Sequence, residues 1–315
     1  MIKMLKLLDF VIQLNVDARK GLGEDSWCHA FGKNAGLIAA FDGCGGSGAR
    51  KHEYYSGHSE AFMASRLCAG AFFDGFLDSF VRQNEIAPDM IIQRCKRYCQ
   101  DIFAAYRPPK GKATGIKSSM ITTLPTTAAA AIIQPANRQI ITTAAWAGDS
   151  RVFALTPRGL SQISVDDSDD NDPYETDAMM TNTINADCAP RINQKMRRIP
   201  LPAIILTATD GCFAYYTTPM EFEGVLLSTL LTATSPNDWE NALTEQIGYV
   251  AGDDYTLVMA VLGFRSFENL KQMFSKRYDF LCKNYLARIA ALPLNDAATR
   301  RMLWESYKQN YTKYI

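Results

Sequence analysis

Five short segments of the chain place acidic residues beside glycine, most of them next to an apolar run. The segments are Gly23–Asp25, Phe41–Gly43, Gly148–Arg151, Thr209–Gly211 and Gly252–Asp254. If the apolar runs are strands, the carboxylates at their ends can converge on one place. Converging carboxylates repel one another unless a cation neutralises them, and hard divalent cations prefer such oxygen ligands. The series therefore predicts a site for more than one metal ion, an arrangement typical of hydrolysis at phosphorus.

The apolar runs that must position these carboxylates are short, rich in Ala, Ile, Val and Thr, and bounded by Gly, Asp, Asn or Pro, which is typical of strands. The predicted strands are Leu7–Leu14, Ser26–Phe31, Gly36–Phe41, Thr127–Gln134, Gln139–Ala147, Arg151–Thr156, Ala203–Ala208 and Thr256–Leu262. The connections Pro135–Arg138 and Gly148–Ser150 suit tight turns, so Thr127–Thr156 is predicted to be an antiparallel meander.

Helices are predicted between the groups of strands, from apolar residues spaced three and four apart and from proline in the first turn. They are Tyr55–Gln83, with a break near Gly70 or Gly75, Pro88–Tyr106, Pro219–Thr232 and Pro236–Tyr249. Pairs of helices between groups of strands differ from strict β-α alternation. The order therefore predicts an α+β fold of antiparallel sheets flanked by helix pairs.

Two segments between these elements have no clear period. Pro108–Thr123 is polar and contains glycine, and it is predicted to be a loop. Val165–Lys195 contains the acidic run 166–172 and few apolar residues. A loop of that length in a compact domain is usually functional or disordered. The acidic run is interpreted as a solvated loop, with metal ligation as the alternative.

The last segment, residues 264–315, differs in charge from the rest. It has ten Lys or Arg and four Asp or Glu, a net charge of +6 in a chain whose formal net charge is zero. Two amphipathic helices are predicted, at Ser266–Ala291 and Asp296–Tyr311, with a cap at Asn295 or Asp296. We therefore predict a domain over residues 1–263 and a helical extension over 264–315. The extension is interpreted as packed on the domain, with a docking surface for a protein partner or an anionic surface as the alternative.

Composition narrows the function classes. The 315 residues have 47% apolar and 21% charged side chains, which is ordinary for a globular protein. A neutral chain argues against a general nucleic-acid binder. Met1–Leu14 lacks the features of a signal peptide, and no run reaches the ~18–20 apolar residues of a membrane span. We expect a soluble, cytoplasmic protein. Its eight cysteines form no Cys-x-x-Cys pair, so free thiols are expected and zinc is not.

The segments "AGLIAAFDGCGGSG", "ITTAAWAGDSRVFAL", "AIILTATDGCFAY" and "GDDYTLVMAVL" resemble successive motifs of the metal-dependent type-2C protein serine/threonine phosphatases, and "GLGEDSW" resembles their opening motif. The resemblance runs from about Leu7 to Leu262 in the family's order, and the compact Asp-Gly-x-Gly-Gly form is similar to bacterial members. It implies a central sandwich of two antiparallel β-sheets with helix pairs on both faces, a four-layer α-β-β-α arrangement.

The resemblance also implies an activity: hydrolysis of phosphoserine or phosphothreonine in proteins by a hydroxide that bridges two divalent cations, without a covalent enzyme intermediate. Asp42 corresponds to the bridging ligand and Gly43 to the ligand that uses its carbonyl. Asp210 and Asp253 correspond to the ligands of one ion. Asp42, Asp210 and Asp253 are thus the implied catalytic residues.

The same resemblance assigns the remaining ligands. Glu24 and Asp25 match the acidic pair of the opening motif, with Asp25 acting partly through water. Asp149, together with Asp210, matches the pair that holds a third, weaker ion in bacterial members. The implied cofactors are two or three Mn²⁺ or Mg²⁺ ions, the implied partner is a phosphorylated protein, and the implied role is in signalling.

The sequence departs from the family pattern at several positions around these ligands. Cys44 stands where many members, chiefly eukaryotic ones, have a histidine that is thought to protonate the leaving group. Lys20, with Arg19 beside it, stands where the family has a phosphate-binding arginine, and lysine lacks its bidentate fork. Gly23 replaces the usual Asn before the acidic pair. The last motif reads Asp253-Asp254 instead of Asp-Asn.

These departures leave two alternatives to an active phosphoprotein phosphatase. One is a catalytically weak or inactive member of the same fold that regulates or binds a partner. The other is a metal-dependent phosphoesterase that acts on a small molecule, since metal ions recognise the phosphate more than the rest of the substrate.

Overall fold

Two antiparallel sheets of five strands lie at the centre of the structure, a computed structural model that describes residues 4–82, 87–109, 122–170, 172, 179–293 and 296–315. The first sheet has the strand order β1-β10-β9-β6-β7 and the second β2-β3-β4-β5-β8. The strands are β1 Leu8–Val16, β2 Ser26–Phe31, β3 Gly36–Phe41, β4 Ala128–Ala136, β5 Gln139–Ala147, β6 Arg151–Thr156, β7 Gly159–Gln162, β8 Asn193–Pro200, β9 Ala203–Ala208 and β10 Tyr255–Leu262.

All eight predicted strands are present, each within two residues of the predicted ends. Two further strands were not predicted: β7, which has only four residues, and β8, which begins inside the segment predicted to be irregular. β8 is polar and forms an edge of the second sheet, where little apolar surface is buried. A polar edge strand carries almost none of the periodic signal on which the prediction depends.

The predicted meander is wrong at its third strand. β4 and β5 pair as expected, but β6 pairs with β7 and β9 in the first sheet. The chain changes sheets at Gly148, whose φ of +88° favours glycine. The short turn that resembled a hairpin therefore connects the two sheets.

Helices cover the outer face of each sheet. α1 Glu60–Arg82 and α2 Pro88–Tyr106 lie on the second sheet, and α3 Pro219–Thr232 and α4 Pro236–Val250 lie on the first. The predicted break in α1 does not occur. Gly75 lies against α2 instead, where a Cβ would come within 3.1 Å of the Cys95 Cα, so the glycine allows close helix packing. The loop predicted at Pro108–Thr123 lies mostly outside the described residues.

The apolar side chains form three layers, one under each set of helices and one between the sheets. In the middle layer, Ile38 and Ala131 of the second sheet pack with Val152, Ile205 and Val258 of the first. Strands covered on both faces have continuous apolar runs without alternation. The α-β-β-α arrangement expected from the sequence is confirmed.

The C-terminal segment adds three helices to the first sheet's outer layer. α5 Phe267–Leu281 continues through a π-turn, Cys282–Leu286, into α6 Ala287–Ala291, and α7 Ala297–Tyr311 follows. Residues of α3, α5 and α7 belong to one apolar cluster. The division into 1–263 and 264–315 stays a prediction. Among the described residues, none of the helices combines the length and the apolar character that crossing a membrane requires.

Candidate metal centre

Strand register brings the five acidic motifs to one end of the sandwich. In the first sheet, the end of β1 at Val16 lies opposite Tyr255, and Arg151 lies opposite Ala208. In the second sheet, β2 begins opposite the end of β3, and β4 begins opposite the end of β5. Every motif therefore occupies a strand end or a loop at the same end of the sandwich. A hydrogen bond between the sheets, 2.8 Å from Thr209 Oγ1 to Asp25 Oδ2, joins the two halves.

Asp42 lies in the middle of this acidic end, immediately after β3. Its carbonyl accepts hydrogen bonds from Thr126 Oγ1 at 2.7 Å and from the Thr127 amide at 2.8 Å. Gly43 and Thr126 form an isolated antiparallel β-bridge. Burial raises the pKa of the Asp42 carboxyl well above its usual range, and neighbouring carboxylates add to the effect. The contributing neighbours are Asp210, Asp25, Asp149 and Asp253.

Three further carboxyls share this environment. Burial raises the pKa of Asp25 to about 8, with added repulsion from Asp210 and Asp254. Burial raises the pKa of Asp149 to about 7, with added repulsion from Asp210 and Asp166. The pKa of Asp210 is also raised, first by burial. In each group, burial and the neighbouring charges thus disfavour the ionised form, and a bound cation would offset that cost.

Asp254 connects the first acidic motif, Gly23–Asp25, with the last, Gly252–Asp254. Its Oδ1 accepts from the Ala18 amide and its Oδ2 from the Glu24 amide, both at 2.7 Å. The carboxylate that departs from the family pattern therefore fixes the loop before β2. The Glu24 side chain accepts a hydrogen bond from the Ser59 hydroxyl, and Asp253 is exposed beside it at the rim.

The predicted phosphate-binding residues lie outside the buried cluster. Arg19 and Lys20 are exposed on the loop that follows β1. A different cation, Arg66 of α1, holds the opening motif: its Nη2 donates to the Gly23 carbonyl at 3.1 Å. The Arg66 guanidinium carbon also lies 3.5 Å from the Phe62 ring centroid. Sequence reasoning missed Arg66, because a basic residue inside a helix carries no motif.

Cys44 lies at the beginning of the glycine-rich turn, with its amide donating to the Pro125 carbonyl at 3.1 Å. Burial raises the pKa of the thiol well above its usual range, and the carboxylates of Asp42 and Asp149 add to the effect. The thiol therefore stays protonated at neutral pH and is a poor nucleophile.

Contacts from the acidic run stabilise the turn that carries Asp149. Asp167 accepts from the Gly148 amide at 3.1 Å and from Asn193 Nδ2 at 2.8 Å. Asp166 forms an ion pair with the buried Arg151, 2.7 Å from Nη2 to Oδ2. The first two carboxylates of the run are thus half-buried and hydrogen-bonded, which differs from the predicted solvated loop.

The acidic end fits divalent cations by its chemistry, although no group of three His, Cys, Asp or Glu in the described ranges forms a ready coordination site. The donors are carboxylate oxygens, the ligands that Mg²⁺ and Mn²⁺ prefer. Oδ1 of Asp149 is buried without a hydrogen-bond partner in the described structure. A buried acceptor without a donor and several mutually repelling carboxyls are both satisfied by a cation.

No protein-family model matches the chain, and no curated protein matches it in sequence. Solved structures do match it in fold. The serine/threonine phosphatase PstP/Ppp of Mycobacterium tuberculosis has a TM-score of 0.55 at 17% identity, over 80% of this chain and 98% of that one. Stp1, a serine/threonine phosphatase of Staphylococcus aureus, has a TM-score of 0.56 at 18% identity, over 81% and 95%. A sex determining protein of C. elegans has a TM-score of 0.61 at 11% identity, over 84% and 67%.

These matches identify the architecture: the chain has the fold of the metal-dependent type-2C serine/threonine phosphatases, similar to bacterial members. Another structure of the PstP catalytic domain contains two manganese ions, with a TM-score of 0.53 at 16% identity.

Proposed function

We propose that this protein is a metal-dependent phosphoprotein phosphatase of the type-2C family that hydrolyses phosphoserine and phosphothreonine. The observation that carries the proposal is the convergence of five acidic motifs at one end of the sandwich, where burial first and neighbouring carboxylates second raise the pKa values of the carboxyls. The phosphatases with this fold, one of them solved with two manganese ions, support it.

In this proposal each carboxylate has a part. Asp42, at the centre, would be the shared ligand of the bound ions, and the Gly43 carbonyl would be a further ligand. The remaining ligands are Glu24, Asp25, Asp149, Asp210 and Asp253. Two or three Mn²⁺ or Mg²⁺ ions bound there would supply an activated water and offset charge on the phosphoryl oxygens.

The protein's own groups act around that centre. Thr209 fixes the Asp25 carboxylate, and Asp254 fixes the backbone of Glu24, so both acidic side chains are held in place. Arg19 and Lys20 are exposed beside the opening motif, and we assign them to the substrate phosphate or to acidic neighbours of the phosphorylated residue. A protonated Cys44 thiol has a hydrogen to donate but is expected to be a spectator.

The experiment is hydrolysis of a phosphothreonine peptide and of p-nitrophenyl phosphate, each with Mn²⁺, Mg²⁺ or EDTA. Wild type is compared with Asp42→Ala, Asp210→Asn and a matched control, Asp101→Asn, which changes an exposed carboxylate on α2. We expect metal-dependent turnover in wild type and in the control, and its loss in the other two. A folded wild type without turnover under any metal contradicts the proposal.

A second candidate is a catalytically weak or inactive member that binds a partner. It is favoured by the exposure of both predicted phosphate-binding residues and by the substitution at Gly23. The two candidates separate in the same assay, because a binding protein shows no turnover for Asp210→Asn to abolish. Activity on small phosphate esters without activity on the peptide would instead indicate a small-molecule phosphoesterase.

A further inference from the structure

A buried guanidinium connects three of the loops at the acidic end. Arg151 begins β6, two residues after Asp149, and is 4% exposed. Its Nε lies 2.9 Å from Asp166 Oδ2 and its Nη2 lies 2.7 Å from the same oxygen. Its guanidinium carbon is 4.3 Å from the ring centroid of Phe213, which belongs to the turn after Asp210. The side chain therefore has one well-defined orientation, set by groups from two other parts of the chain.

The C-terminal helix reaches this guanidinium at its last residue. Tyr311 is 1% exposed, its ring centroid lies 6.3 Å from that of Phe153 on β6, and the Arg151 guanidinium lies near its hydroxyl. The neighbouring Asn310 fixes the end of α7 on β7: its Nδ2 donates to the Leu160 carbonyl at 3.1 Å, and its own carbonyl accepts from Ser161 Oγ at 2.8 Å.

A second contact joins the same helix to the acidic run. Arg301, in the first half of α7, pairs with Asp172. The helix thus touches the acidic run at one point and the Arg151–Asp166 pair at another. α7 is therefore placed to restrict movement of the segment that follows Asp149.

We infer that α7 is a positioning element of the candidate metal centre: Tyr311 holds Arg151, and Arg151 orients the Gly148–Ser150 turn that carries Asp149. This inference rests on the proposed function for its metal-binding consequence. The residues that orient metal ligands from outside the coordination shell have large effects on metal affinity.

The inference is tested with Tyr311→Phe, which removes one hydroxyl and keeps the ring that packs on Phe153. The matched control is Tyr307→Phe on the same helix, whose hydroxyl donates to Glu223 at 2.6 Å, in the interior of the helical layer. Both substitutions are made in the full chain and both remove one buried hydroxyl, so a merely structural loss is common to the two.

Two readouts are compared. The first is amide hydrogen exchange of the peptide spanning residues 146–153 in metal-free protein, and the second is Mn²⁺ binding followed by electron paramagnetic resonance. We expect faster exchange in this peptide for Tyr311→Phe and wild-type exchange for Tyr307→Phe. We also expect about tenfold weaker binding of one Mn²⁺ in Tyr311→Phe only.

Unchanged exchange of this peptide in Tyr311→Phe overturns the inference, and so does faster exchange with unchanged Mn²⁺ affinity. A wild type that binds no Mn²⁺ contradicts the proposed function instead. In that case the exchange measurement alone decides whether Tyr311 holds the turn.

Discussion

Glu223 is a completely buried carboxylate at the junction of α3, α5 and α7, and it offers a sharp test of how the C-terminal segment is attached. Arg277 of α5 donates to it twice, at 2.6 Å from Nε and 2.8 Å from Nη2. Tyr307 of α7 donates at 2.6 Å. Arg277→Met removes the compensating charge and leaves the carboxylate with the tyrosine hydroxyl as its remaining donor in this triad.

The expected loss follows from that burial. Removing one partner of a buried ion pair costs about 3–5 kcal/mol, because the other charge stays desolvated. For a chain of a few hundred residues, each kcal/mol lowers the melting temperature by about 2–4 °C. Arg277→Met should therefore melt roughly 6–20 °C below wild type. The double variant Glu223→Met with Arg277→Met removes both charges and should recover to within about 2 kcal/mol of wild type.

The measurement is urea unfolding followed by tryptophan fluorescence and circular dichroism. Glu268→Gln is the control on the same helix, because that side chain is 79% exposed and lies 3.9 Å from Lys271. Its loss should change the free energy of unfolding by less than about 0.5 kcal/mol. If Arg277→Met unfolds like the control, the reasoning about the buried triad is refuted. Two separate transitions in wild type would show that residues 264–315 unfold as a domain of their own.

Three other outcomes are expected. In metal-free protein, the pKa values of Asp25, about 8, and Asp149, about 7, lie above the unfolded value of 3.8. The stability from these groups is therefore complete below pH 4 and is lost as the pH rises to 7–8, which thermal unfolding in EDTA would show and Mn²⁺ would reverse. Asp254→Ala removes two loop hydrogen bonds. It should reduce the free energy of Mn²⁺ binding, measured by calorimetry, more than the free energy of unfolding. Asp296 caps α7 through the Thr299 amide, which lowers its pKa, so Asp296→Ala should destabilise the protein at pH 7 and lose this effect below pH 4, as followed by circular dichroism.

Sequence reasoning worked best where the chain is apolar on both faces. Strands such as β9, Ala203–Ala208, are buried completely and are flanked by acidic turns, so their length and ends are visible in the sequence. The helices that begin with proline at 88, 219 and 236 were placed equally well. In each case the local signal and the tertiary environment agree.

Prediction from the sequence failed where tertiary contacts determine the local structure. The switch of β6 to the other sheet depends on the backbone at Gly148, and a short turn in the sequence does not say which sheet follows it. The cations of the acidic end were missed for a similar reason. Arg66 lies inside a helix and Arg151 inside a strand, and their relation to the carboxylates exists only once both sheets are assembled.

Those two cations lie near other carboxylates of the acidic end, whereas the Asp42 carboxyl is influenced by burial and by further carboxylates. Four other carboxylates raise its pKa in addition to burial. Asn has nearly the shape of the protonated acid but never ionises. Asp42→Asn should therefore stabilise metal-free protein at pH 8, change little at pH 5, and abolish the rise in melting temperature that Mn²⁺ produces. The melting temperatures of Asp42→Asn and wild type, measured by differential scanning fluorimetry with EDTA or Mn²⁺ at both pH values, test this prediction. A variant that melts below wild type at pH 8 in EDTA would show that the carboxyl is held by contacts stronger than this repulsion, and the electrostatic account of the centre would be wrong.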